Sequence, residues 1–195
     1  MSGKQKAKSE ETQRRVLEAA VSAVETGGLE AVNIRKIAAD AGYSVGSVYK
    51  HYEDQDALLL GVNSVTLGRI KQVMAEAVVG INEPLAQLKM LAQTYLDFAR
   101  QNERLWTTLF AHRLPEGKKV PEWQIQENIA LLAFIAAPLK QLHPDLTDET
   151  LAARTRTCFA AVHGLVTISL EDRFIGLAGK PLDREMEFLV ERLAG

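Results

Sequence analysis

Apolar residues recur along this chain at the three- and four-residue spacing of amphipathic helices, and the alternation of a half-buried strand is absent. Val16, Leu17, Ala20, Val21 and Val24 mark one face of a helix over residues 14–26, which Gly27 and Gly28 end. Ile34, Ile37, Ala38 and Ala41 repeat the pattern, with Asn33 placed to cap the first turn. Gly42 then supplies a tight turn. Ser44 is placed to cap a second, shorter helix whose Val48 and Tyr52 point inward, leaving Ser47, Tyr49, Lys50 and His51 outside. Two helices joined by a glycine turn predict a helix-turn-helix, which lays its second helix in the DNA major groove. The outward groups donate hydrogen bonds, as contacts to phosphates and base edges require.

Helical signals continue to the end. Asp54 and Asp56 favour a helix start, and Leu58, Leu59, Val62, Val65, Ile70, Val73 and Met74 carry that helix to about Gly80. Asn82, Glu83 and Pro84 open another, striped by Leu85, Leu88, Leu91, Ala92, Tyr95 and Phe98. Residues 103–112 present Leu105, Trp106, Leu109 and Phe110, and Gly117 and Pro121 mark a loop that exposes Lys118 and Lys119. The apolar run over residues 122–142 is interrupted by Pro138, which predicts a kink or an early end. His143, Pro144 and Asp145 form a turn, and Thr147 caps a helix running from residue 148 to about Phe174. That helix is apolar on two sides, with Leu151, Cys158, Phe159, Val162, Val166 and Leu170 on one and Ala153, Ala160, Gly164 and Ile168 on the other. It should therefore pack against both its own chain and a partner. A last helix over residues 183–193 offers Met186, Leu189, Val190 and Leu193, and the chain carries no internal repeat or low-complexity segment.

Composition limits the possibilities. A chain of 195 residues with a net charge of −2 is not coated in nucleic acid, so basic character must be local. Lys4, Lys6, Lys8, Arg14 and Arg15 outweigh Glu10 and Glu11 to leave the first fifteen residues at +3, suited to a flexible arm along DNA or to a solvated terminus. One cysteine, Cys158, excludes an internal disulfide. No apolar run approaches the roughly 20 residues of a membrane span, and the polar start lacks a signal-peptide core, so a cytoplasmic protein with no membrane association is expected. His51, His112, His143 and His163 include no pair at the spacing of a helical metal site. With no phosphate-cradling glycine loop either, neither a metal, a cofactor nor catalysis is expected.

Residues 12–62 resemble the N-terminal DNA-binding domain of TetR-family transcriptional regulators. Ile37-Ala38, Ala41-Gly42, Ser44, Gly46-Ser47, Val48-Tyr49, His51-Tyr52 and Ala57-Leu58-Leu59 fall in register without a gap. The resemblance implies an all-α homodimer, typically a repressor that binds double-stranded operator DNA and is released by a small molecule. It also implies an organisation of residues 1–54 as N-terminal arm and three-helix DNA-binding domain, 55–80 as connecting helix, and 81–195 as effector-binding and dimerisation domain. The last two helices of each chain would build a four-helix interface. Asn33, Arg35, Lys36, Ser44, Gly46, Ser47, Tyr49, Lys50 and His51 are the expected DNA-contact residues, with Val45 facing a base and Arg35 or Lys36 near the backbone. Two positions depart from the family pattern: Val45 stands where a long polar or basic residue is frequent, and Gln55 where a phosphate-anchoring Lys is common. Glu53 and Asp54 add negative charge beside it, which makes an interaction protein whose helix-turn-helix no longer binds DNA the alternative, with a helical enzyme third.

The aromatic set Tyr95, Phe98, Trp106, Phe110, Trp123, Phe134 and Phe159 either fills the core or lines a cavity for a largely apolar effector, with Cys158, His112 and Gln126 or Asn128 supplying polarity. Val162-His163-Gly164 resembles a Trp-His-Gly motif in one subset of the family's regulatory domains, with Val in place of Trp.

Overall fold

The computed structural model describes residues 3–171 and 176–195. Among them the chain is helical throughout and contains no strand: α1 (Gly3–Gly27), α2 (Ile34–Ala41), α3 (Val45–Tyr49), α4 (Gln55–Ala77), α5 (Pro84–Gln101), α6 (Glu103–Ala111), α7 (Glu122–Leu142), α8 (Asp148–Leu170) and α9 (Gly179–Ala194). A single 3-10 turn, Leu29–Ala31, follows α1.

The contacts divide the chain into two compact units that are not contiguous in sequence. One gathers the described residues up to Gly68 with Asn102–Gln124; the other gathers Arg69–Gln101 with the described residues from Ile125 on. The first, hereafter the head, packs α1 against α2, α3 and α6. Val16, Ala20, Val24, Ile37, Val48, Leu58 and Val62 are wholly shielded from solvent there, and Leu105 of α6 joins the same core. That burial is why α6 belongs with the head. Arg104 adds a polar tie by donating to the carbonyl oxygens of Glu25 and Thr26 in the last turn of α1. In the second unit α5 packs on α9 and α8, and α8 on α9, burying Leu88, Leu91, Leu96, Val166, Leu182 and Met186.

Helix ends follow their local chemistry. Asn33 accepts from the Arg35 and Lys36 amides, Ser44 from the Ser47 amide, and Thr147 from the Thr150 amide. The Glu83 carboxylate receives the Leu85 and Ala86 amides ahead of α5. Gly42 ends α2 at φ 78°, with its own amide donating to Ala39 and that of Tyr43 to Ala38. Only glycine takes this left-handed turn without a steric penalty.

Three elements differ from the sequence-based expectation. The basic N-terminal segment is not a flexible arm but the first turns of α1, which starts at Gly3 and is laced by Lys6–Glu10, Arg14–Glu11 and Arg14–Glu18 pairs. α7 does not end early at Pro138 but runs on to Leu142. Proline removes one amide and one helical bond; here Ala136, Ala137 and Leu139 are helix formers and Pro138 itself is buried, which offsets that loss. α8 ends at Leu170 with Glu171 extended, and the expected continuation to Phe174 lies outside the described residues.

Candidate nucleic-acid interface and effector cavity

The recognition face is built by α2, the glycine turn and α3. Ile34, Ile37, Ala38 and Ala41 sink into the head core and leave Arg35 and Lys36 exposed. Val48 and Tyr52 anchor α3 from beneath, with the Tyr52 hydroxyl donating to the Gln13 carbonyl of α1 at 3.4 Å. Burial pushes the Tyr52 phenol above its ordinary pKa, so it remains a neutral donor. On the outer side Tyr49 is 52% exposed and Lys50 stands beside it, while His51 is half-buried at the end of the helix. Ser47 faces Ser44, hydroxyl to hydroxyl, at 2.9 Å, so both side chains help fix the start of α3. Gly46 is exposed in that first turn, and a Cβ there would meet nothing closer than Ser44 Oγ at 4.0 Å. Asn33, exposed at the entrance to α2, spends its oxygen on capping.

Val45, expected to face a base, is half-buried, with part of its side chain packed against the head core. Its departure from a long polar residue therefore adds to the support under α3. The acidity beside Gln55 is partly offset at Asp54 by a contact between residues distant in sequence. Lys118, from the loop after α6, meets Asp54 at 2.6 Å and Asp56 at 3.6 Å. His112, at the end of α6, places Nε2 3.1 Å from Asp56 and Nδ1 3.3 Å from the Asn63 amide. The Lys118 ammonium, followed by the Ala57 amide, holds the Asp54 carboxyl below the usual aspartate range. Neither His112 nor Lys118 is adjacent to α4 in sequence, and only the fold brings them there.

The seven aromatics are not brought together. Trp106 and Phe110 pack on each other in the head with ring centroids 5.2 Å apart, and Trp123 of the same unit is 47% exposed. In the second unit Phe98 is buried and Phe134 half-buried, and neither lines the cavity described next. Tyr95 and Phe159 do line it, meeting edge-on with centroids 6.0 Å apart.

That cavity, of about 50 Å³, lies among α4, α5, α7, α8 and α9, walled by Met74, Leu88, Leu91, Ile135, Val162 and Val190 as well as Tyr95, Phe159 and Cys158. No charged side chain lines it. At its margin the Tyr95 hydroxyl lies 2.9 Å from His163 Nδ1, and His163 Nε2 lies 3.4 Å from the Thr167 hydroxyl, which itself donates to the His163 carbonyl. One assignment satisfies the set: Tyr95 donates to a neutral imidazole whose Nε2–H points at Thr167. Burial lowers the His163 pKa, in keeping with the neutral ring. Burial also raises the pKa of the Cys158 thiol, against the opposing charge of Arg154. Of the seven aromatics offered by the sequence only Tyr95 and Phe159 line this cavity, and Met74, Ile135 and Val190 were not among the candidates, because a cavity shared by five helices has no linear signature.

Among the described residues no cluster suits a metal ion, and no helix is long and apolar enough to cross a membrane. No curated protein matches the chain in sequence. Solved structures do match in fold. A TetR-family transcriptional regulator from Bordetella parapertussis 12822 is 18% identical with a TM-score of 0.63, covering 93% of each chain. FadR from Bacillus subtilis, in complex with stearoyl-CoA, is 16% identical with a TM-score of 0.69 over 93% of this chain and 97% of its own. RolR, in complex with resorcinol, is 17% identical with a TM-score of 0.71 over 97% and 90%. Two family models fit the sequence itself: "Bacterial regulatory proteins, tetR family" over residues 16–62, and "Tetracyclin repressor-like, C-terminal domain" over residues 88–193. With more than half of the chain matched by the second model and the capped helix-turn-helix matched by the first, the protein belongs to the TetR family of DNA-binding transcriptional regulators.

Proposed function

We propose that the protein is a cytoplasmic, homodimeric repressor that binds an inverted-repeat operator and is released by a small molecule. The observation that carries the DNA-binding part is the outer face of α3. Tyr49 and Lys50 stand in solvent on a helix fixed at its start by Ser44 and from beneath by Val48 and Tyr52. Arg35 and Lys36 flank them at the start of α2, where they can reach the phosphate backbone. The Lys118 ammonium beside Asp54 offsets part of the negative charge that favoured a head unable to bind DNA. Dimerisation is supported by Ile168 of α8, which is 49% exposed on a helix that buries Cys158 and Val166 on another face. The cavity supports an effector, as do the complexes of FadR with stearoyl-CoA and RolR with resorcinol.

Selection of bound duplexes from a random DNA pool tests this directly. An enriched inverted repeat, with half-sites about one helical turn or a multiple apart, is the expected outcome, because a two-fold dimer reads two-fold DNA. Absence of any enriched sequence, with only salt-sensitive general binding, would favour the interaction-protein reading instead.

A further inference from the structure

Next to the apolar cavity, and within the same unit, lies an open cleft of about 410 Å³ between the first half of α8 and the end of α9. The two spaces share Cys158 and Leu193 as a common wall. Their linings are opposite in character. The cavity holds no charged group, whereas the cleft presents Arg154 and Arg192 with the hydroxyls of Thr150 and Thr157. No carboxylate side chain lines either space, and the main-chain carboxylate of Gly195 at the rim of the cleft is the one negative group among its lining residues. Among the described residues neither arginine is ion-paired: Glu191, next to Arg192, is engaged by Lys89 at 2.5 Å. Arg192 is steadied by the Phe188 ring, its guanidinium carbon 5.2 Å from the centroid.

Two guanidinium groups separated from an apolar space only by the shared wall of Cys158 and Leu193 describe one kind of ligand. Guanidinium forks match carboxylates bidentately, and the two arginines supply the donors of the cleft, because the Thr157 hydroxyl donates to the Ala153 carbonyl and that of Thr150 is paired with Thr147. The cavity is several times the roughly 10–15 Å³ that admits a single water, yet its lining gives water no partners, so an apolar chain is its natural occupant. We propose that the effector is an amphiphilic acid, its carboxylate held by Arg154 and Arg192 in the cleft and its hydrocarbon tail passing Cys158 and Leu193 into the cavity. The proposal rests on the reading of the protein as ligand-responsive and adds to it the chemical class and the orientation of the ligand.

Calorimetric titration of the full chain with octanoate, acetate and octan-1-ol tests both halves. Octanoate should bind about tenfold or more tighter than either control, because only it engages both spaces. Arg154→Gln and Arg192→Gln should each reduce octanoate affinity by about ten- to hundredfold, the loss expected for a charge-assisted contact, and leave octanol unchanged. Leu91→Trp, which fills the cavity, should weaken octanoate and leave acetate unchanged. Sedimentation and circular dichroism would establish that each variant keeps its fold and assembly. Acetate binding as tightly as octanoate would reduce the site to a small-anion cleft and overturn the proposal. So would octanol matching octanoate, or anion preference surviving the double arginine substitution. Operator binding measured with and without octanoate separates the two readings. Arginine-dependent octanoate binding that leaves DNA affinity unchanged would keep the site and refute release by ligand. Failure of octanoate to bind a protein that another compound releases from DNA would refute the site and keep the regulator.

Discussion

The head and the second unit are both helical and both bury apolar side chains completely, yet the second also encloses the cavity described above. In the head, Val16, Ala20, Val24, Ile37 and Val48 are wholly buried around α1, α2 and α3, and the start of each of the latter two helices is held by a named side chain. In the second unit five helices leave a cavity between them, bordered by a hydrogen-bonded row of Tyr95, His163 and Thr167. A reading surface needs fixed geometry, because a displacement of an ångström breaks a hydrogen bond to a base edge. A responsive unit needs an arrangement that a ligand can improve, and incomplete packing supplies it.

The largest effect should come from removing packing in the head. Ile37→Ala deletes a fully buried side chain in a filled core and should cost about 2–5 kcal/mol of stability. Val162→Ala borders an existing space and is already half-buried, so its cost should be about 1 kcal/mol or less. Urea unfolding of both variants checks this. Equal losses would mean that the second unit is as tightly packed as the head.

Next in size is the loss of DNA contacts. Tyr49→Ala and Lys50→Ala should each weaken binding to all sequences about equally, and each lost phosphate contact should flatten the salt dependence by roughly one unit of slope. Leu91→Trp in the cavity wall should leave that slope alone. A change of preferred sequence at constant salt slope in either α3 variant would reassign that residue to base recognition.

Asn33→Ala tests capping, and should cost about 1 kcal/mol by leaving the Arg35 and Lys36 amides without their acceptor. Asn33→Asp should retain most of that stability, since aspartate caps equally well. Thermal denaturation of the pair distinguishes a cap from a DNA contact: if both variants are as stable as the parent yet bind DNA poorly, Asn33 acts on DNA rather than on α2.

What could be read from the sequence follows the same division. Asn33, Gly42, Ser44 and Thr147 act on amides within five residues, so their roles were visible in the order of residues alone. Helical periodicity also marked Leu88, Leu91, Tyr95 and Phe98 as inward-facing. Periodicity reports that a side chain is buried but not against which core, and so Trp106 and Phe110 were grouped with aromatics that lie in a different unit. Lys118 reaches Asp54 across 64 residues, a pairing with no local signal. The cleft arginines were equally hidden, because Arg154 and Arg192 lie on separate helices and become a pair only when α8 and α9 pack.

The smallest expected effect separates the two units by acidity. His163, lowered by burial, takes up protons more readily in the unfolded chain, so the second unit should lose stability as pH falls below the ordinary histidine value of about 6.5. Asp54, lowered chiefly by Lys118, behaves differently. Its contribution is present above the unfolded aspartate pKa of about 3.9 and is lost only as pH falls through its lower folded value. The head should therefore be unaffected across the range in which the second unit first weakens. The Asp54–Lys118 pair is substantially exposed and screened by water, so its share is small. Hydrogen exchange followed by amide position between pH 7 and pH 3 would resolve both phases. His163→Phe should flatten the upper phase in α5 and α8 alone, and Lys118→Ala should shift the lower phase at the start of α4 alone. If acid opened both units together in a single step that neither substitution moved, the two regions would be one cooperative body, and the contrast between a filled head and a yielding regulatory unit would fail.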